Sequence, residues 1–337
     1  MAKTDIVLIG ASIGGLGALR TLIGRLPKEI PASFFVAVHT PTYTYSDLVA
    51  MLNKAGPLPA QLAVDGTEFK QGVIYVSPND HHLVLHKNTM LVRRGPKENS
   101  FRPSIDVLFR SAAYLHGKRV IGVILSGILN DGVSGLRAIK QLGGKAIVQA
   151  PESADQPQLP RNVLDCVDVD HVMDVEDMPK LLAGMVYNDG LDPKALKEAE
   201  MERMLTEIAI ASSGSAFDLG IMDMGLATSL TCSECGGVVV RMVDGNLLRY
   251  RCHTGHAYTA STLLSDLTVS IEARMYNVMR GMEETHMLMN SISDHYGAMK
   301  DRKTARLFAT SAKATLERSR ALKDLILEQS HWSEDLR

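Results

Sequence analysis

The chain has 337 residues, 45% of them apolar, and a formal net charge of -2, which is apolar material enough for two ordinary globular cores. So even a charge balance supplies no attraction to nucleic acid and none to an anionic membrane surface, and neither is expected as a partner. Four cysteines, three of them crowded between positions 232 and 252, suit a metal site in a reducing compartment better than a disulfide framework, so the expected location is cytoplasmic.

In chain order, the first apolar run is Ile6–Ile9, which follows Asp5 and leads straight into a glycine-rich turn. It is too short for a secretory leader, and no later stretch approaches the about 18 unbroken apolar residues of a membrane span. It reads as a strand. Phe34–Val38, Val73–Val76, Val120–Leu125 and Ala146–Val148 follow, separated by helical patterns or turns. That alternation predicts an α/β fold: a doubly wound, mostly parallel sheet with helices on both faces. His82–Leu85 and Met90–Val92 flank Lys87-Asn88 as a hairpin, expected to give the sheet an antiparallel portion.

Beyond the α/β part, a charged helix is expected from about Pro193 to Ile210, then a linker at Ser212–Ser215, and a cysteine-rich module from about Thr231. Leu264, Leu267, Ile271, Met275, Val278, Met282 and Met289 then recur by threes and fours or their sums, which predicts a helix of unusual length. A second helix is expected over about Lys303–Gln329. The division is 1–190 for the α/β domain, 191–230 for helix and linker, 231–260 for a small zinc-ribbon-like module and 261–337 for a hairpin of long α-helices. The apolar stripe reads as the packed core of that hairpin, with a homo-oligomer seam as the alternative. Met275, Met279, Met282, Met287 and Met289 are read as core rather than as a docking surface.

Gly10-Ala11-Ser12-Ile13-Gly14-Gly15 directly follows the first strand and opens a helix through Leu16, Leu19 and Leu22. As a dinucleotide fingerprint, Gly10, Ser12 and Gly15 fit G-x-G-x-x-G, but Ser stands where a missing side chain lets the pyrophosphate approach. No acidic residue ends the Phe34–Val38 strand, where a ribose partner belongs; His39 does. As a nucleophile turn, the same residues put Ser12 at a helix N-terminus, among N–H groups able to hold an oxyanion. As a plain cap, Ser12 would only close the helix.

His39 and Asp131 favour the nucleophile. Both follow strands of a parallel sheet, as Ser12 does, and ligands bind outside the carboxyl ends of such strands. His39 can take the Ser12 proton, and Asp131 can orient the imidazole and stabilise the imidazolium. The chain order Ser, His, Asp differs from the α/β-hydrolase order, which excludes that fold.

These residues resemble a known family, the catalytic domain of the protein-glutamate methylesterases of bacterial chemotaxis. The resemblance covers roughly residues 4 to 188 and rests on Ile9–Gly15, Val38-His39, Ser77-Pro78-Asn79-Asp80-His81-His82, Arg102–Phe109 and Leu125–Gly132. It implies a serine hydrolase that removes methyl esters from glutamate side chains of a methylated protein, a chemoreceptor in that family, often with glutamine deamidation. Ser12, His39 and Asp131 would be the triad, with no catalytic cofactor. The resemblance places Ile128 at the position of one backbone oxyanion donor, and Ile13, next to the nucleophile, is taken as the other. His82 and Asp106 match family positions and are read as structural.

There are departures. The catalytic strand starts at residue 5, so the family's upstream receiver domain is not expected, and control would fall to a regulatory protein in trans. Ile13 replaces the usual Thr and Ile128-Leu129 the common Met-Gly, which implies a bulkier, more apolar groove. Gln158-Leu159-Pro160 stands where Gly-Met-Pro is common, in a loop expected at the site. A non-catalytic interaction module and an acyl hydrolase with another protein substrate are the alternatives.

The second motif pairs Cys232-x2-Cys235 with Cys252-x3-His256 across sixteen residues. Zinc takes four tetrahedral N and S ligands, and two such knuckles fill the shell without leaving a position for water, so a structural zinc is expected. His253 is the competing ligand, and a redox C-x-x-C leaves Cys252 and His256 without a use. Cys166 lies in an apolar context and is expected to be buried. A similar cysteine module with a trailing helix accompanies methylesterase-like domains that lack a receiver.

Overall fold

A computed structural model of the chain describes residues 5–39, 45–186, 198–214 and 216–335. The chain divides into two compact units, Met1–Leu263 and Leu264–Arg337. Within the first, β1 (Ile6–Ala11), α1 (Gly15–Gly24), β2 (Ser33–Val38), α2 (Tyr45–Ala55), β3 (Ala60–Leu62) and β4 (Ile74–Val76) come first. A hairpin of β5 (His82–His86) and β6 (Thr89–Arg93) leads to α3 (Ile105–His116), β7 (Val120–Ile124), α4 (Val133–Gln141), β8 (Lys145–Gln149), α5 (Gln158–Cys166), β9 (His171–Met173) and α6 (Met178–Met185).

Seven strands form one sheet in the order β3-β4-β2-β1-β7-β8-β9, and every pairing in it is parallel. The strands are apolar on both faces because helices cover both. Ile6 and Leu8 pack with Leu108 and Phe109 of α3, Leu136 of α4 and Leu159 of α5. Val7 and Ile9, pointing the other way, pack with Leu19 and Leu22 of α1, Leu52 of α2 and Leu182 of α6. The α/β expectation holds, with one correction: β5 and β6 pair with each other in a separate two-stranded sheet and add no antiparallel strand to the main one. Their apolar side, Leu83 and Leu85, is buried in the same core cluster as Leu108 and Ala112 of α3, so burial is satisfied without joining the sheet. The edge strands β3 and β9 were not read from the sequence because neither is a buried apolar run like the equally short β4.

Expectations for residues 187–197, including the boundary at 190 and the start of the charged helix, lie outside the described residues, and so does Ser215. The described helix is α7 (Glu198–Ser213). β10 (Leu226–Thr231), β11 (Val238–Asp244), β12 (Leu247–Cys252) and β13 (Ala257–Thr259) then form an antiparallel four-stranded sheet that carries all three crowded cysteines at or beside its strand ends.

Buried ion pairs run between this sheet, α7 and α3. The Glu207 carboxylate of α7 receives Arg249 at 2.8 Å and Arg110 of α3 at 3.0 Å. Glu98, in the loop before α3, receives Arg251 at 2.6 Å and Arg110 at 3.0 Å. Buried charges tolerate removal from water only when they are paired in this way.

The second unit holds most of α8 (Ala260–Ala298) and all of α9 (Arg302–Asp335). They are antiparallel: Ser293 Oγ donates to Ala305 O at 2.8 Å, the His286 ring bonds Ala312 O at 2.9 Å, and Tyr296 stacks on Phe308. The apolar stripe is not the packed core expected of it. Leu264, Ile271 and Val278 are 49%, 47% and 52% exposed, while Leu267, Met275, Met282 and Met289 are half-buried. Two helices make one seam, which cannot cover a stripe this broad. Met287, 59% exposed, departs from the core reading in the same way. Among the described residues, no helix is long and apolar enough to cross a membrane.

Candidate active site

β1 lies between β2 and β7, so the chain leaves β1 to one side first and returns on the other, and the carboxyl ends of these three strands border one crevice. Ser12 follows the last residue of β1, His39 the last residue of β2, and the loop after β7 runs through Ser126 to Asp131. The turn at Ser12 depends on Gly14, whose φ of 77° is a left-handed conformation that suits glycine, and Gly14 caps α1. Ser12 N–H donates to Ser126 O at 3.0 Å, tying the Ser12 turn to the Asp131 loop. Gly127 permits that approach, since a Cβ there would stand 2.8 Å from the Cβ of Ser12.

The three predicted triad residues meet in one row. Ser12 Oγ lies 3.1 Å from His39 Nδ1, and His39 Nε2 lies 2.7 Å from Asp131 Oδ2. With a carboxylate at Nε2, that nitrogen carries the proton and Nδ1 is free to accept the serine hydrogen. The more common serine-hydrolase triad uses the two ring nitrogens the other way round. All three groups are buried, Ser12 at 2%, His39 at 9% and Asp131 at 1% exposure. Phe101 lies flat on the imidazole, with centroids 3.6 Å apart and planes 5° apart, so the ring cannot tilt out of the row.

Asp131 is held as an anion by its setting. Burial pushes its carboxyl up, but the hydrogen bond and charge of His39, Ser104 Oγ at 2.7 Å and the Ile105 N–H at 2.6 Å bring it below the usual carboxylate value. Ile105 opens α3, so the carboxylate also faces the positive end of that helix. Asn99 Nδ2 and the Asp106 N–H complete its donors at 3.1 and 3.2 Å.

Asp106 sits beside it and accepts from the Gly132 N–H at 3.0 Å and the Gly135 N–H at 2.7 Å, fastening the Asp131 loop and α4 to α3. Burial, and next the charge of Asp131, raise the Asp106 carboxyl to about 7. His82 is fully buried; it bonds Pro96 O at 2.8 Å and accepts the Ser104 N–H at 3.2 Å. Neither residue touches Ser12 or His39 through a hydrogen bond found among the described residues.

Ile13 directly follows Ser12 and Ile128 directly follows Gly127, which closely approaches Ser12, and among the described residues neither backbone N–H donates to a backbone carbonyl outside the helices and strands. The Ile13 side chain is 55% exposed and Leu16 is 41% exposed, an apolar lip beside the recessed serine. Gln158, at the predicted loop, opens α5, and its Oε1 accepts the Leu129 N–H at 3.1 Å. Leu129 has a positive φ of 60°, so this bond supports a backbone conformation that leucine rarely holds. Sequence reasoning places Gln158 at the site but in a loop, whereas it begins a helix; Asn99 and Phe101 are site residues that sequence reasoning missed, since loop positions have no periodicity to betray them.

The four metal-type residues also meet. The ligand atoms of Cys232, Cys235, Cys252 and His256 all lie within 4.8 Å of one another. Cys235 Sγ is 3.7 Å from Cys252 Sγ, Cys232 Sγ is 3.7 Å from His256 Nδ1, and Cys252 Sγ is 3.5 Å from the same nitrogen. A tetrahedron of ligands around zinc has edges of about 3.5–3.8 Å, given bonds of about 2.3 Å to sulfur and 2.0–2.1 Å to nitrogen. The donor set therefore fits that ion, and His253 is not part of the cluster. Cys166 stands apart and is half-buried rather than buried; α5 ends there, which leaves its thiol near the surface, and partial burial, with the Asp165 charge, pushes that thiol up.

The sequence model of one family, described as CheB methylesterase, matches residues 7–182. A Leptospira interrogans protein with the provisional name protein-glutamate methylesterase/protein-glutamine glutaminase is 33% identical over 186 residues, 55% of this chain and 96% of that protein. A Methanosarcina mazei protein named protein-glutamate methylesterase/protein-glutamine glutaminase 2 is 34% identical over 182 residues, which is 52% of this chain and 50% of the relative. The crystal structure of the Thermotoga maritima CheB methylesterase catalytic domain superposes with a TM-score of 0.53 at 32% identity, covering 54% of this chain and 98% of that one.

Proposed function

Because the chain belongs to the CheB methylesterase family, we propose that it is a serine hydrolase that removes methyl esters from glutamate side chains of a protein and deamidates glutamine at the same site. The observation that carries this reading is the buried row of Ser12, His39 and Asp131, with spacings of 3.1 and 2.7 Å.

In this reading Ser12 Oγ attacks the ester carbonyl carbon as its proton passes to His39 Nδ1, and the Nε2–H stays on Asp131. The tetrahedral oxyanion takes the Ile13 and Ile128 N–H groups. Collapse breaks the bond to the methoxy oxygen, which takes the proton from His39 and leaves as methanol. Water, deprotonated by His39, then releases glutamate from Ser12. An amide follows the same path and releases ammonia. The chain's own groups supply every proton transfer, and the reading assigns no catalytic cofactor.

The substrate we infer is a methylated protein of the chemoreceptor type, its apolar side chains resting on Ile13 and Leu16. We assign the chemistry to residues 1–190, a linking role to 191–230, a structural zinc on Cys232, Cys235, Cys252 and His256 to 231–260, and partner contacts to 261–337. The exposed face at Leu264, Ile271 and Val278 supports a homo-oligomer or a regulatory partner in trans. Work in the cytoplasm suits three thiols held for a metal. The test is to offer receptor fragments bearing glutamyl methyl esters and glutamines and to follow methanol and ammonia. Methanol release supports the proposal; release of neither product removes it.

A further inference from the structure

The segment before α3 carries two consecutive non-glycine residues with left-handed backbone, Asn99 at φ 52° and Ser100 at φ 71°. Non-glycine residues hold that conformation when their surroundings enforce it, and such strain gathers at functional sites. The enforcing contacts come from the cysteine module. The Asn99 N–H donates to Ala257 O at 2.7 Å, and the Ala257 N–H donates to Lys97 O at 3.1 Å. Glu98 pairs with Ala257 as a parallel bridge, so β13 serves this segment as a strand partner. The Thr259 N–H donates to Asn99 Oδ1 at 2.9 Å, and Arg251 of β12 closes on Glu98.

The other end of the Asn99 amide faces the active site. Nδ2 donates to Asp131 Oδ1 at 3.1 Å and to Asp106 Oδ2 at 3.0 Å. Two buried carboxylates side by side repel, and one amide nitrogen that gives a hydrogen to each lets them share the site. Two residues on, Phe101 lies against His39. Across the site, Asn130, next to Asp131, donates to Ser261 Oγ at 2.8 Å, in the first turn of α8.

We propose that the cysteine module is a working part of the active site. In this reading β13 and the start of α8 hold Asn99 and Asn130, and Asn99 is a positioning residue that fixes Asp131 and, with Phe101, the His39 ring. Ala257 directly follows the metal-type ligand His256, so the geometry of the metal knuckle reaches Asn99 through a single residue. The proposal rests on Ser12, His39 and Asp131 acting as the triad.

The test uses the full chain and a fluorophosphonate probe, which reports nucleophile activation without needing the protein substrate. Metal-loaded protein should be labelled at Ser12. Asn99→Ala should lower the maximal labelling rate about tenfold or more, the effect of one lost hydrogen bond to a charged group, with the probe's half-saturation concentration unchanged. A simple loss of shape would move both. Stripping the metal with a chelator should give the same fall in rate, with faster hydrogen exchange at the Asn99 and Thr259 amides while β1 and β7 stay protected. Wild-type protein that escapes labelling at Ser12 would overturn the triad and this proposal with it. Normal labelling of both Asn99→Ala and the metal-free protein would overturn the proposal and leave the triad standing. Loss of protection in β1 and β7 on metal removal would attribute the effect to unfolding and overturn it too.

Discussion

Asp131 accepts the His39 Nε2–H at 2.7 Å while its other contacts draw the same carboxylate onto the first turn of α3. The imidazole is therefore oriented by an anion that a helix end already holds in place. Asp131→Asn removes the charge that favours the Nε2–H tautomer and the imidazolium. Ester hydrolysis should fall about 10³- to 10⁴-fold, measured as methanol release at saturating substrate, and a fall of less than about tenfold would show that Asp131 is not the orienting group.

Gly127 tests the close approach of the Ser12 and Asp131 loops. In Gly127→Ala the added methyl meets the Cβ of Ser12 and the side chain of Leu159, each within 2.8 Å, so one loop must move. The rate should drop about 10²-fold, as for a misplacement on the scale of an ångström. Thermal denaturation should show a loss of about 1–3 kcal/mol. A fully active variant would mean that the 126–131 loop does not need its contact with Ser12.

The buried pairs predict acid sensitivity with a definite sign. Burial would raise the Glu98 and Glu207 carboxyls, but Arg110, with Arg251 and Arg249, holds both below the usual range. Such groups bind protons more readily when unfolded, so their stabilisation is present above about pH 4.3, the ordinary Glu value, and is lost as the pH falls through the folded values. Asp131 acts in the same direction, whereas Asp106, raised to about 7, costs stability as the pH rises from about 4 toward that value. Glu207→Gln should lose about 3 kcal/mol at pH 7, because the buried Arg249 loses the carboxylate it pairs with at 2.8 Å and Arg110 keeps only Glu98. Its urea midpoint should also depend less on pH below 5 than the wild type's, and an equally steep acid dependence would count against the pairing.

The cysteine cluster predicts one zinc per chain by elemental analysis. Cys252→Ser should lose that zinc and the protection of β10 to β13 from hydrogen exchange, since a small sheet of this kind depends on its metal. Retained stoichiometric zinc would show that the ligands lie elsewhere.

How far these features could be read in advance depends on whether local pattern or tertiary contact decides them. Ser12, His39 and Asp131 were legible because each follows a parallel strand, and carboxyl ends of strands face one crevice. The four metal-type residues were legible from spacing alone. Asn99 and Phe101 were not, because a loop residue acquires its role only when β13 and His39 arrive beside it. The hairpin β5–β6 was recognisable as a hairpin, yet nothing in His82–Arg93 says whether it joins the sheet or covers α3. For Leu264, Ile271 and Val278 the helix was legible and the burial was not, because periodicity identifies an apolar face without saying what covers it.

The central claim is that Ser12, activated by His39, cuts glutamyl methyl esters. The most direct measurement compares methanol release from a methylated receptor fragment by the wild type and by Ser12→Ala, both shown to be folded by their thermal transitions. We expect release by the wild type and a loss of at least about 10³-fold in the variant. Equal release by the two proteins would contradict it.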